Sequence, residues 1–557
     1  MAKMTGYRYI AEMLRGYGIR AVFHVPYVLD GALVEMEKLG IRRIRCHSEK
    51  AAAYMADGYA RVAHGPGIAM AQSVGAANLA AGLQDAWLAC SPVIAVTGRW
   101  MPHYLYQQAY QEVDHRPLYD PVTKFNAYVD GVEQIPFLLR QAFREATTGA
   151  PRPVHLDFLG LSGDLAAGSK LDAEVTVESS FSRYPAFRPE PEPGRVAEAA
   201  QRIARSERPV LVAGGGVTAS GAQAEVVRLA EKLSIPVATS LNAKGTILED
   251  HPLSAGVVGT YSRKCANEIV SEADLVIFVG SHTGGQVSHF WQIPRQGTPA
   301  IQIDVDPAQI GRNYPAEVAI QGDAKATLER LIEAVALVPD RAAWTERVRA
   351  LVDRWRSEFD GLLRSDAVPI RPERLCREIT EFLPSDAILL SDTGHAGMWT
   401  GAMIEITDPG QTYLRCAGSL GWAFPAAMGA KCAAPDRPVI CFTGDGGFWY
   451  HLGELETAAR FGINTVTVIN NNRSFNQCRD AFEDASGERG QGSDDLWVFE
   501  DVDFAGVAKS MGCKGIRVED PERIRPALEE AVAADGPVVV DVATDIDAMA
   551  PKAYVPE

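Results

Sequence analysis

Short apolar runs alternate with amphipathic stretches along almost the whole chain, the pattern of parallel sheets covered by helices. AVFHV (21–25), GIAMA (67–71) and PVIAVTG (92–98) read as buried strands, and PVHLDF (153–158) closes a first set. A looser, Pro- and Glu-rich stretch follows and ends in YPAFRPEPEPG (184–194), a composition that suits an extended linker. A second set holds RPVLVAGGGV (208–217), PVATS (236–240), ADLVIFVGS (273–281) and AIQIDVD (300–306). Charged helical sequence from about Ala342 to Leu363, then AVPIRP, leads to a third set: AILLSDTG (387–394), PVICFTGDGG (438–447), NTVTVINNN (464–472) and GPVVVDVATD (536–545). The pattern predicts three doubly wound, parallel-sheet α/β domains over 1–165, 195–338 and 373–557. A linker (166–194) and a connecting helix with its own linker (339–372) join them.

Length supports the division, because 557 residues exceed what one hydrophobic core holds. With 47% apolar and 22% charged residues the chain has a globular composition, and no apolar run is long enough to span a bilayer. A formal charge of −17 argues against nucleic acid or an anionic membrane as the main partner. The opening MAKMTGYRYIAEML lacks the apolar stretch of a secretory signal. Nine cysteines without a CxxC pair fit reduced core thiols in a cytoplasmic protein better than a disulfide framework or zinc site.

The chemistry concentrates in GDGGFWYHLGELETAARFGINTVTVINNN (444–472). A strand (VICFT), a glycine turn carrying Asp445, a helix (HLGELETAARF, 451–461) and a second strand make a βαβ unit whose strands end at one sheet edge. Asp445 and the asparagine triplet therefore converge where open α/β sheets bind ligands. The glycines let backbone N–H groups approach an anion at a helix start. One carboxylate with carboxamide oxygens is a hard, oxygen-only donor set that favours Mg²⁺ bridging to a phosphate over zinc.

This stretch resembles the cofactor motif of thiamine diphosphate (ThDP) enzymes, in the branch with acetolactate synthase and benzoylformate decarboxylase. In that branch the metal-binding Asn lies 27 positions after the Asp, and 472 − 445 = 27. The resemblance thus implies Asp445, Asn472 and the backbone carbonyl of Ser474 as Mg²⁺ ligands, with Gly446 and Gly447 against the diphosphate. RCHSEKAAAYMADGYAR (45–61) resembles the segment carrying the catalytic glutamate, which makes Glu49 the partner of the aminopyrimidine ring. AGSLGWAFPAAMGAK (417–431) resembles the segment that bends the cofactor, with Leu420 as the apolar support and the Gly418 carbonyl facing the 4′-amino group. SDTGHAGMW (391–399) implies Gly394, His395 and Ala396 over the diphosphate. AYQEVDH (109–115) implies Tyr110 and Gln111 beside the substrate, as does the position of Phe475, Asn476 and Gln477 after the metal motif.

The resemblance further implies a homodimer, or a tetramer of paired dimers, with each active site between two chains. The chain departs from the family in carrying SVGAAN (73–78) for the usual Gly-Pro-Gly and FHVPYV (23–28) for FGxPG. His115 stands without the paired histidine of pyruvate decarboxylases. SHTGGQVSH (281–289) replaces the Arg-containing, flavin-holding stretch, which argues against FAD and leaves ADP or coenzyme A for the central crevice. DAFEDASGERGQGSDDLWVFED (480–501) does not look like the matching segment of acetolactate synthases. The expected activity is therefore carbon–carbon cleavage or ligation on a small 2-hydroxyacyl-CoA or 2-oxo acid. The alternatives are acetolactate synthase-like decarboxylation and carboligation, or a non-catalytic nucleotide-binding protein on the same fold.

Overall fold

The computed structural model describes residues 3–168, 170–336, 340–486 and 494–555. Three sheets of six parallel strands organise it, each flanked by helices. The N-terminal sheet runs, edge to edge, Arg42–Arg45, Ala21–His24, Gly67–Ala71, Val93–Arg99, Val154–Leu159 and Phe125–Val129. The C-terminal sheet repeats that topology: Thr412–Arg415, Ile388–Ser391, Val439–Gly444, Val466–Asn471, Val538–Ala543 and Lys514–Val518. The central sheet has the other common doubly wound order, Ser254–Val257, Val237–Thr239, Pro209–Ala213, Leu275–Val279, Ala300–Asp304 and Val318–Gln321. In every sheet the four inner strands are those the apolar runs mark. The two outer strands are additions that the pattern did not single out.

Five helices matter for the site: α1 (Glu49–Ala63), α2 (Gly75–Leu88), α3 (Ala342–Leu363), α4 (Ala423–Ala433) and α5 (Glu454–Phe461). The charged sequence expected to connect the last two domains forms α3 over those same residues. The helix expected over 451–461 is shorter, because Trp449–His451 is a 3₁₀ turn and α5 starts only at Glu454. The stretch expected as linker contains a two-residue strand, Lys170–Leu171, that pairs antiparallel with Met4–Thr5. No helix among the described residues is long and apolar enough to cross a membrane.

The first and third domains meet through α1 and α4. Both helices are rich in alanine, and α4 is buried along nearly its whole length. Small side chains let the backbones touch: a Cβ at Gly58 would overlap the Ala426 carbonyl, and one at Gly429 would overlap that of Met55. Arg61 closes the contact at the end of α1. It donates to Asp57 (2.8 and 2.7 Å) and to the Arg415 carbonyl (2.6 Å), while Trp422 Nε1 donates to Asp57 at 2.8 Å.

This packing reverses the usual sign of a helical glycine substitution. Gly→Ala in an ordinary helix interior stabilises by up to about 1 kcal/mol. Here Gly429→Ala drives a methyl into the Met55 carbonyl, and a loss of about 1–3 kcal/mol, the usual cost of overpacking, is expected. Thermal or urea unfolding of the variant measures it, and an unchanged or raised midpoint would contradict the contact.

Candidate active site

In the C-terminal sheet the strand order reverses between Ile388–Ser391 and Val439–Gly444, so the loops after these two strands open a crevice at the carboxyl edge. The glycine turn and the 392–396 loop are those two loops. Gly444 pairs in register with Asn470 on the next strand, which places the asparagines beside the turn. Asp445 is buried, and neither of its carboxylate oxygens has a hydrogen-bond partner among the described residues. Burial pushes its pKa up to about 7; the nearby N–H groups of Gly446 and Ser474 offset only part of that.

Strand alternation sorts the triplet. Asn471 points away from its neighbours and donates to Asp541 at 2.9 Å. Asn472 accepts from the Ser474 hydroxyl at 3.0 Å, and the Asn470 carboxamide oxygen is buried without a partner. Asn470 is a residue that the spacing argument passed over. A Cβ at Gly446 would overlap the Phe475 ring, so a larger residue there would have to displace that ring.

The neighbouring loops are held by buried acids. Asp392 accepts from the N–H groups of Thr393 (2.8 Å) and Gly421 (3.1 Å) and from the Thr443 hydroxyl (3.2 Å); burial raises its pKa to about 6. It lies against Gly447 and so ties the turn to the 417–421 loop. Gly394 takes a left-handed φ of 67° and starts the helix His395–Ala402. His395 Nδ1 is buried and unpartnered, and burial lowers its pKa to about 4, so the ring is neutral; Ala396 is buried. Gly418 is exposed and Leu420 half-buried. Their loop is gripped from the first domain by Asp85 of α2, which accepts from the N–H groups of Ala417 (2.7 Å), Gly418 (3.1 Å) and Ser419 (3.0 Å).

Glu49 opens α1, half-buried, and its carboxylate accepts from Asn78 Nδ2 at 3.2 Å. The chain enters α1 through Glu454 of α5, which accepts from the N–H groups of His47 (3.0 Å) and Ser48 (3.1 Å). Within one chain Glu49 stands two turns, roughly 12 Å, up the helix from Asp57, where α1 meets the 417–422 loop. Tyr110 is exposed, and Gln111, at a left-handed φ of 62°, accepts from Gln72 Nε2 at 3.1 Å. Asn476, expected beside the substrate, has its carboxamide oxygen buried without a hydrogen-bond partner. Its amide is buried and donates to the carbonyls of Ile546 (2.7 Å) and Ala548 (3.0 Å), because the C-terminal segment needs that donor. Gln477 donates to the Tyr261 hydroxyl. Residues 487–493 of the acidic segment lie outside the described residues.

A second crevice, about 390 Å³, opens at the reversal point of the central sheet. Gly214, Gly280, Asp304 and the 281–287 part of SHTGGQVSH line it, and Arg415 and Ala417 bring it up to the loop that Asp85 holds.

The sequence motifs found Asp445 and Asn472, but Asp85, Asp392 and Glu454 belong to no motif. One signal was present: Asp85 is the single charge in the apolar helix GAANLAAGLQDAWL.

Two nucleotide-type crevices at sheet reversal points, with an unpartnered acid in a glycine turn, describe a cofactor-dependent α/β enzyme. The chain belongs to the thiamine pyrophosphate (ThDP) enzymes: its residues 4–118, 196–331 and 392–542 match the family's N-terminal TPP-binding, central and C-terminal TPP-binding domains. It is 35% identical to a probable acetolactate synthase large subunit of Methanocaldococcus jannaschii, over 97% of this chain and 92% of that one. A probable acetolactate synthase large subunit of Methanococcus aeolicus is 34% identical over the same shares. The acetolactate synthase isozyme 2 large subunit of Escherichia coli is 29% identical over 97% of this chain and 96% of its own. The chain is a ThDP-dependent enzyme of the acetolactate synthase-like branch.

The buried charge at Asp445 has a measurable consequence. Its pKa is raised from 3.8 to about 7, so the folded apoprotein holds a proton that the unfolded chain releases. That stabilisation is present below about pH 4 and is lost as pH rises through 7. Relative to wild type, cofactor-free Asp445→Asn should gain stability between pH 5 and 8, on the order of 1–3 kcal/mol at the upper end. Parallel unfolding midpoints across that range would contradict the geometry.

Proposed function

We propose that the chain is a ThDP- and Mg²⁺-dependent carboligase that cleaves a small 2-oxo acid beside its carbonyl and passes the acyl fragment to a second carbonyl compound. The observation that carries the reading is the Asp445 carboxylate, buried with both oxygens unpartnered in a turn that Asn470 pairs alongside. That donor set fits a hard divalent cation. Asp445, Asn472 and the Ser474 carbonyl would hold Mg²⁺, and Gly446, Gly447, Gly394, His395 and Ala396 would border the diphosphate. When bound, ThDP supplies the electron sink that cleavage beside a carbonyl requires.

The protein's own residues then have distinct tasks. Leu420 would give the cofactor apolar support and the Gly418 carbonyl would face its amino group, on a loop whose Ala417, Gly418 and Ser419 N–H groups Asp85 holds. Glu49 holds and moves a proton at its carboxylate. Tyr110 and Gln111 wall the substrate side. As in the family the chain belongs to, two copies would assemble each site, one giving Glu49 and the other the Asp445 turn. Exposed Trp449 and Tyr450 support such a homodimer, and pairs of dimers would make a tetramer. Nine free cysteines, seven of them buried, suit the cytoplasm.

A second reading, cleavage of a 2-hydroxyacyl-CoA, is favoured by the central crevice with its SHTGGQVSH wall, which would take the ADP part of coenzyme A.

The test is a panel of 2-oxo acids and 2-hydroxyacyl-CoAs assayed with ThDP and Mg²⁺. Pyruvate is expected to release CO₂ and yield a branched hydroxy-oxo acid, whereas turnover confined to the CoA esters would select the second reading. Glu49→Gln should still bind the cofactor but slow hydrogen–deuterium exchange at its reactive carbon by roughly 10²–10⁴-fold. Equal exchange would leave Glu49 as a mere helix-start residue. The purified protein should show no stoichiometric flavin absorbance, and a yellow preparation near one flavin per chain would overturn that expectation.

A further inference from the structure

Two departures from the family pattern, Ser73 and His115, meet in space. Ser73 ends the strand-to-α2 turn, His115 follows the Gln111 loop, and Asp157 and Thr97 stand on neighbouring strands of the N-terminal sheet. All four side chains are at most 1% exposed. Thr97 donates to Asp157 Oδ1 at 2.8 Å, Asp157 Oδ2 lies 3.3 Å from His115 Nδ1, and His115 Nε2 lies 3.4 Å from Ser73 Oγ. The Ser73 hydroxyl donates to the main-chain carbonyl of Gln111 at 2.6 Å.

A Ser–His–Asp series suggests a nucleophile, but this one is sealed from solvent and its hydroxyl proton is already placed on a carbonyl. What it does is hold Gln111. That residue is a non-glycine at φ 62°, a backbone state that persists only when its surroundings impose it. Ser73 fixes its main chain and the adjacent Gln72 fixes its side chain, at 3.1 Å. Glu112, next in the chain, accepts from the N–H groups of Tyr106 (2.6 Å) and Ala109 (2.9 Å) and folds the rest of the loop back on itself. A glycine at position 73 would offer no hydroxyl.

We propose that Ser73, backed by His115 and Asp157, is the positioning residue that sets Gln111 in the substrate pocket. It thereby tunes recognition of the 2-oxo acid without touching the cofactor. The inference rests on the reading that Gln111 faces the substrate, and a double-mutant cycle separates the two. In steady-state kinetics with pyruvate, Ser73→Ala should raise KM roughly 3–10-fold, as loss of one hydrogen bond supports. Its kcat, its thermal shift with ThDP and Mg²⁺, and cofactor-carbon exchange should stay within twofold of wild type. In a Gln111→Ala background the same change should add nothing to KM. Independently of turnover, chymotrypsin should cut after exposed Tyr106 and Tyr110 several-fold faster in Ser73→Ala and His115→Ala than in wild type. An unchanged KM or unchanged cleavage in Ser73→Ala would overturn the proposal, as would an effect that persists in the Gln111→Ala background. Loss of ThDP binding would assign Ser73 to the general fold instead. If Gln111→Ala itself changes neither KM nor kcat, the placement of Gln111 fails, and this inference with it.

Discussion

The close approach of α1 and α4 is the constraint on which the rest of the site depends. Where Gly58 meets the Ala426 carbonyl and Gly429 meets that of Met55, the two backbones leave no room for even a methyl group. That contact fixes the first domain against the third with little freedom to slide, because packed interiors deform in steps rather than continuously. The two segments proposed to face cofactor, each in a different site of the homodimer, both leave from it. Glu49 starts α1, the 417–421 loop leads into α4, and α5 grips the entry to α1 through Glu454.

Buried carboxylates do the finer placement, and they work reciprocally. Asp85 reaches from the first domain to three successive N–H groups of a third-domain loop, and Glu454 reaches back to two N–H groups of the first domain. Each acid carries the cost of desolvation, which raises its pKa, and each recovers part of it through those backbone donors. Arg61 adds a counter-charge 3.5 Å from Asp85. Holding a loop by its main chain leaves its side chains free for a ligand.

How much of this was legible in the sequence follows from where each element sits. The inner strands of all three sheets are covered on both faces, so they appear as apolar runs such as GIAMA and LVIFV. The outer strands pair on one side only, and Arg42–Arg45 (RRIR) and Lys514–Val518 (KGIRV) carry charge that hides them from a hydrophobicity argument while protecting a sheet edge. Asp445 and Asn472 could be found because one βαβ unit fixes their spacing. The clamps could not, since Asp85 and its loop are 332 positions apart and Glu454 and His47 are 407 apart. Ser73 and His115 showed only as two unrelated departures until the sheet brought them together.

Burial alone does not tell a structural acid from a functional one; satisfaction does. Asp85, Asp392 and Glu454 are as buried as Asp445, yet each has donors on its oxygens. Glu225 and Glu249 each leave one oxygen without a hydrogen bond, but Glu249 lies 2.6 Å from Arg263 and Glu225 lies 3.7 Å from Lys325. Asp445 forms no hydrogen bond through either oxygen among the described residues, and only nearby backbone N–H groups temper its burial. An uncompensated carboxylate in a protein interior is expensive. Asp85, Asp392 and Glu454 serve as clamps, whereas Asp445 is left open beside the Asn470 carboxamide, and it is this contrast on which the proposed metal reading rests.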